Sequence, residues 1–127
     1  MTKQLNPEDE RVLYEAGYLL LNKGNVKAAR EIFEGLVAMT PTKGLPHTFL
    51  GNTYFAESKF DEAIKHHRKA VELSPDSAVS WAHLGESLYV TQQKDEAVTV
   101  LKKALTIDPD GPSGKMADLL LELVRKS

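Results

Sequence analysis

The chain of 127 residues contains no cysteine. That excludes a disulfide framework and a thiolate metal site, and it leaves no mark of an oxidising compartment. An excess of one charge is also missing. The 16 Lys and Arg face 18 Asp and Glu, for a formal net charge of -2. Nothing in that balance advertises a nucleic acid or an anionic membrane as partner. Apolar runs are short: Leu19-Leu20-Leu21 is typical, against the ~20 residues that a membrane-spanning helix needs. The opening Met1-Thr2-Lys3-Gln4-Leu5-Asn6-Pro7 has no apolar signal-peptide core. These absences set the expectation of a cytoplasmic protein with neither a membrane nor a nucleic-acid partner. The length suits one domain with a modest core.

What the chain does have is a period. Pro41, Pro75 and Pro109 stand 34 residues apart, as do Gly17, Gly51 and Gly85, and Ala29, Ala63 and Ala97. A fixed interval of this length marks a repeat architecture. Stacked repeats offer a surface rather than a reaction centre.

Each unit reads as helix, turn, helix. In the middle unit Leu50 and Tyr54, then Ala63, His67 and Ala70, recur at helical spacing, with a polar break over Glu57-Ser58-Lys59-Phe60-Asp61 between the two sets. Asp61-Glu62 and Asp95-Glu96 open the second helices, and Arg68-Lys69 and Lys102-Lys103 lie towards their ends. This order compensates a helix dipole, so the basic pairs are read as solvated helix ends rather than an anion site. The helical glycines each cost about 1 kcal/mol against Ala. Close helix approach would offset that, with Ala29, Ala63, Ala97, Ala70 and Ala104 as small partners. Larger columns fill the space between layers: Leu13, His47, Trp81; Leu20, Tyr54, Leu88; Phe33, His67, Leu101; Met39, Leu73, Ile107. The prolines stop the second helices.

The ends have their own signals. Asn6-Pro7-Glu8 is a helix start, with Asn as the cap and Pro in the first helical position. Asp110-Gly111-Pro112-Ser113-Gly114 is a turn-rich break. Beyond it Met116, Leu119, Leu120, Leu123 and Val124 form one apolar stripe. An open stack needs a terminal cap, so residues 113–126 are read as a capping helix with Asp118, Glu122 and Lys126 facing water. A dimerisation helix is the rival reading of the same stripe, and a monomer is the expectation. The whole chain is expected to be all-α, with about seven helices.

These residues carry a resemblance to the tetratricopeptide repeat family. In the third unit, 78–111, Trp81, Leu84, Gly85, Ala97, Ala104 and Pro109 match the family's signature positions. The second, 44–77, matches through Leu50, Gly51, Tyr54, Phe60, Ala63, Ala70 and Pro75, and the first, 10–43, through Gly17, Ala29, Phe33 and Pro41. Leu36 departs from the usual small residue and would spread or tilt its helix pair. His47 departs from a usual large apolar residue. The resemblance implies a right-handed superhelical stack of antiparallel helix pairs with a concave groove lined by the first helix of each unit.

The groove so implied would be lined by Arg11, Tyr14, Glu15, Tyr18, Leu21 and Asn22 from the first unit. The second unit adds Leu45, Thr48, Phe49, Asn52, Phe55 and Ala56, and the third Val79, Ala82, His83, Glu86, Tyr89 and Val90. Five of the nine Phe, Trp and Tyr residues fall here, at positions that the stacking columns do not use. The expected site is Tyr14, Tyr18, Leu21, Leu45, Phe49, Asn52, Phe55, Val79, His83, Glu86 and Tyr89, a mainly apolar stripe for a peptide or helix of another protein. Family members that hold the acidic C-terminal tails of heat-shock chaperones use Lys, Arg and Asn as a carboxylate clamp. The matching positions here are Tyr14, Tyr18, Phe49, Val79 and His83, four of them uncharged, which argues against a clamp.

The expected function is therefore an adaptor or scaffold that binds a partner protein. The alternative is a small chaperone for hydrophobic secreted proteins, similar to those of type III secretion, although only nine residues stand before the first unit where those chaperones have a longer dimerisation segment. An enzyme is the remaining reading, and no catalytic constellation supports it. Of the histidines His47, His66, His67 and His83, a metal pair would take His47 and His67, both expected to point inward, yet no acidic or sulfur ligand sits at a suitable spacing. They are read as stack residues, hydrogen-bonded or partly wet. Gly111-Pro112-Ser113-Gly114-Lys115 lacks phosphate-loop spacing and is read as a linker. No cofactor and no metal are expected.

Overall fold

The computed structural model describes residues 5–127. Among the described residues there are seven α-helices and no strand. They are α1 (Pro7–Asn22), α2 (Val26–Met39), α3 (Leu45–Ala56), α4 (Phe60–Leu73), α5 (Ala78–Val90), α6 (Lys94–Ile107) and α7 (Pro112–Lys126). Helices α1 and α2, α3 and α4, and α5 and α6 pack as pairs. α2 also packs on α3, α4 on α5, and α7 on both α5 and α6, so the pairs stack in chain order.

Local chemistry sets the ends. Asn6 caps α1, its Oδ1 accepting from the Asp9 amide at 2.8 Å, and Pro7 is the first helical residue. Helices α2, α4 and α6 end two residues before Pro41, Pro75 and Pro109. Within each pair the turn passes through one left-handed residue at the same register: Gly24 (φ 84°), Ser58 (φ 60°) and Gln92 (φ 67°). Only the first is glycine, so the other two turns carry a backbone penalty of about 1 kcal/mol each.

The helical glycines do mark close approach, with a large side chain nearest in each case and, beside Gly51, the Ala63 carbonyl at 3.0 Å as well. A β-carbon on Gly17 would stand 2.5 Å from Phe33 Cζ, one on Gly51 would stand 2.5 Å from His67 Cδ2, and one on Gly85 would overlap Leu101. Each glycine thus seats the large side chain 16 residues further on. Ala29, Ala63, Ala70, Ala97 and Ala104 are fully buried deeper in the pairs. Leu36 is fully buried with Phe33 and Leu50 in the first of two hydrophobic cores. The second core gathers Leu84, Leu88, Leu101 and their neighbours in α5, α6 and α7. Met39 (43% exposed) and Ile107 (42%) do not fill a layer as expected, because each closes its helix at the edge of the stack.

Helix α7 differs from its expectation in two ways. It begins at Pro112, so Pro112 to Lys115 are helix rather than linker. The Asp108 carboxylate accepts from the Gly111 amide at 2.9 Å and braces this entry. Its packing face is also rotated. Gly114 and Ala117 are buried, Leu120 and Leu121 pack against the second core, and Leu119 (67%) and Leu123 (49%) stay exposed. Small residues win the inner face because they let the helix come close: at Gly114 a β-carbon would collide with the Asp108 carbonyl. Asp118 and Lys126 face water, and Glu122 is half-buried and pairs with Arg125.

Candidate protein-binding face

The candidate residues all lie on α1, α3 and α5, but their exposure is uneven. Tyr18 is the most open at 54%. Leu45, at the start of α3, and Val79, near the start of α5, are half-buried, as are Leu21, Phe55 and Tyr89. Val90, at the end of α5, is exposed at 38%. Thr48 and Ala82 were expected on the lining and are instead fully buried. Thr48 faces α5, where its hydroxyl is 2.7 Å from that of Ser80, and Ala82 lies in the second core.

The aromatic residues are not independent of the stack, as the sequence had implied. The Tyr14 ring centroid is 5.6 Å from that of Phe49, which is itself stacked at 5.4 Å on fully buried Phe33. Both rings therefore belong partly to the first core. Burial, with Glu10 nearby, raises the Tyr14 hydroxyl above its ordinary range, so it stays neutral. Tyr89 packs against the second core. Phe55 meets Phe60 edge-on at 5.2 Å across the α3–α4 turn. Tyr18 alone among the five rings is fully a surface group.

Two polar candidates have local partners. His83 Nδ1 lies 3.4 Å from the Glu86 carboxylate one helical turn away. Asn52 Oδ1 accepts from His67 Nε2 at 2.9 Å, while His67 Nδ1 accepts from the Ser87 hydroxyl at 2.8 Å. That assignment leaves the Asn52 amide hydrogens free for a ligand and fixes the neutral tautomer of His67. Burial, with His83 nearby, pushes the His67 imidazole down to about 3. His67 thus takes the place of an apolar stack residue with both nitrogens satisfied. The pairing of His47 with His67 does not occur. His47 stacks on His66 at 5.9 Å and His67 lies 6.1 Å from His83. The inward-facing Asn52–His67–Ser87 link had no signal in the 34-residue period, because Asn52 and Ser87 belong to different columns.

Among the described residues no three His, Asp or Glu side chains converge as a metal site would require. Among the described residues no helix is long and apolar enough to cross a membrane.

The period, the helix pairs and the glycine seats have a match among known families. A tetratricopeptide repeat family model matches residues 54–123, and a second matches residues 3–43. The chain belongs to the tetratricopeptide repeat family. Its fold is accordingly that family's right-handed superhelical stack. Comparison with curated proteins finds no match. Among solved structures the chain is similar to the first tetratricopeptide domain of Spaghetti (RPAP3) bound to the HSP90 peptide SRMEEVD. The identity is 20%, with 97% of this chain and 95% of that one covered, at a TM-score of 0.81. It is also similar to the type III secretion translocator chaperone SycD of Yersinia enterocolitica, at 17% identity, 97% and 88% coverage and a TM-score of 0.80. A third similar structure is PcrH in complex with the chaperone binding region of PopD, at 19% identity, full coverage of both chains and a TM-score of 0.79. At such identities the likeness is one of tetratricopeptide fold.

Proposed function

We propose that this tetratricopeptide protein is an adaptor that holds a segment of another protein against the face shared by α1, α3 and α5. The observation that carries the reading is the lining. Tyr18 and Val90 are exposed, Leu45, Phe55 and Val79 are half-buried, and the cations of the face are few. Arg11, the nearest, is already paired with both Glu8 and Glu15. Such a surface takes apolar and aromatic side chains and gives an acidic tail little to hold. Asn52, with its amide hydrogens free, supplies a backbone contact. The face shows no convergent set of nucleophile, base and acid such as a reaction centre needs.

Solved structures similar to this chain include a holder of an acidic chaperone peptide and a holder of a segment of PopD. The apolar lining favours the second kind of client, an apolar segment that needs shielding. A chaperone for such proteins is therefore the more specific form of the same reading.

The test is a double variant, Tyr18→Ala with Phe55→Ala, assayed for affinity towards a partner segment recovered on the wild-type chain. One aromatic anchor can be worth ~2 kcal/mol, or about thirty-fold in affinity. The expected result is a loss of that order or more with an unchanged melting temperature. Binding at wild-type strength would place the partner elsewhere.

A further inference from the structure

The outer sides of α4 and α6 carry a feature that the stack does not require. Two recesses lie one repeat apart and are built alike. One has the His47 and His66 rings, with Lys65, Arg68 and Lys69 around them and Glu72 at its margin. The other has Trp81, with Lys102, Lys103 and Ile107. Subtracting 34 carries three members of the second set onto the first, Trp81 to His47, Lys102 to Arg68 and Lys103 to Lys69, while Lys65 and Glu72 stand at the places of Thr99 and Thr106. In the second recess the Lys103 ammonium sits 5.0 Å from the centre of the Trp81 ring, and the indole N–H donates to the Pro75 carbonyl at 2.8 Å. The ring is thus pinned with a cation across one face.

Dipole compensation does not account for these cations. Neither α4 nor α6 has a basic residue in its last turn, and the dipole effect fades within a turn. Nor does the stack demand them, since the first unit has Glu31, Glu34 and Gly35 at the places of Lys65, Arg68 and Lys69. Arg68 is satisfied by Glu96 across the α4–α6 boundary, and Lys69 lies 3.8 Å from Glu72. Among the described residues Lys65, Lys102 and Lys103 have no carboxylate within 4.0 Å. The two threonine hydroxyls beside Trp81 already donate to their own helix, Thr99 to the Asp95 carbonyl and Thr106 to that of Lys102. The free donors of that recess are therefore ammonium groups, and its apolar wall is Trp81 with the exposed Ile107.

We propose that the outer face of the second and third units is a second protein-binding surface, whose paired ring-and-lysine recesses take an acidic peptide segment with apolar side chains between its carboxylates. The carboxylates accept from the unpaired lysines, and the apolar side chains cover Trp81 and Ile107. The chain's overall charge of -2 selects against a polyanion such as nucleic acid, which would extend towards Glu31 and Glu34 of α2. A short acidic segment feels only the local cations, within a Debye length of about 8 Å at physiological salt. The site is separate from the α1, α3 and α5 face, so the protein would bridge two clients of opposite character.

Trp81 is the only tryptophan in the chain, and its emission reports on the second recess directly. The full chain is titrated with a blocked hexapeptide of alternating glutamate and leucine. The expected result is a saturable change in Trp81 emission that weakens as salt is raised. Affinity should fall about tenfold or more when Lys65, Lys69, Lys102 and Lys103 are all changed to Gln. It should hold in a control with Lys27→Gln and Lys126→Gln, and in the Tyr18→Ala, Phe55→Ala variant. Should the four-fold variant lose its fold, Lys102→Gln with Lys103→Gln gives the same reading on the Trp81 recess alone. No saturable change, an equal loss in the remote-lysine control, or equal binding of a single-stranded oligonucleotide or of inorganic phosphate overturns the proposal.

Discussion

The same slot in successive units is filled by Phe33 and by His67, and the two junctions differ accordingly. Around Phe33 the contact between the first and second units is a block of rings and aliphatic groups, with Phe49, Tyr14, Leu36 and Leu50. Around His67 the contact between the second and third units is a run of hydrogen bonds. His67 bridges Asn52 and Ser87, and Thr48 meets Ser80, which meets Ser77. Both side chains are fully buried against a helical glycine. The repeat fixes the shape of the slot, and the chemistry within it is free to vary. A ring of carbon contributes by area and packing, with little response to pH. An imidazole contributes only while it is neutral and both nitrogens have partners.

The largest expected effect breaks the apolar junction. Phe33→Ala removes a fully buried ring above Gly17 and should cost ~3–5 kcal/mol in urea unfolding. A cost below about 1 kcal/mol would mean that the first junction does not rest on that ring.

The second effect belongs to the polar junction and depends on pH. His67 titrates at about 3 in the folded chain and near 6.5 when unfolded. The unfolded state therefore binds the extra proton first. Stability from this group is whole above about pH 6.5 and falls by up to ~1.4 kcal/mol per unit as pH drops towards 3. Burial also lowers His47 and His66, which adds a slope of the same sign. By pH 5 the loss from His67 should reach about 2 kcal/mol. His67→Leu, which copies the third unit's Leu101, should flatten the slope. An unchanged slope would move the titration to other groups.

Crowding sharpens the comparison further. Gly51→Ala places a methyl 2.5 Å from the imidazole and 3.0 Å from the Ala63 carbonyl, which should cost ~1–3 kcal/mol. Ala63→Leu, in the fully buried alanine column, should cost about as much, while exposed Glu72→Leu should change little. Equal losses at the two sites would show the faces of α4 to be assigned wrongly. The smallest expected change is a gain. Gln92 holds φ 67° where the first unit has Gly24, so Gln92→Gly should raise stability by several tenths of a kcal/mol to about 1 kcal/mol in thermal unfolding.

The periodic part of this fold was legible because it rests on residues that only one backbone geometry tolerates. Glycine under a large side chain and proline past a helix end recur in register, and they placed the helix pairs. What did not repeat was hidden. The rotation of α7 was missed because five large residues form an obvious stripe, whereas the inner face is chosen by Gly114 and Ala117, which carry almost no hydropathy signal. The Asn52–His67–Ser87 link was invisible because its members share no column and meet only when α3, α4 and α5 pack. For the candidate site the sequence overstated the freedom of the residues it placed on α1, α3 and α5: Tyr14, Phe49 and Tyr89 serve the cores as well as the face. That double duty makes Tyr18 and Phe55 the cleaner probes.

An apolar partner segment is proposed to lie on the α1, α3 and α5 face. The most direct measurement is an amide chemical-shift map of the isotope-labelled chain, titrated with an apolar peptide that carries no acidic residue. Saturable shifts are expected to centre on Tyr18, Asn52, Phe55 and Val90, with the outer sides of α2, α4 and α6 silent. Shifts confined to those outer sides, or to the exposed Leu119 and Leu123 of α7, would contradict it.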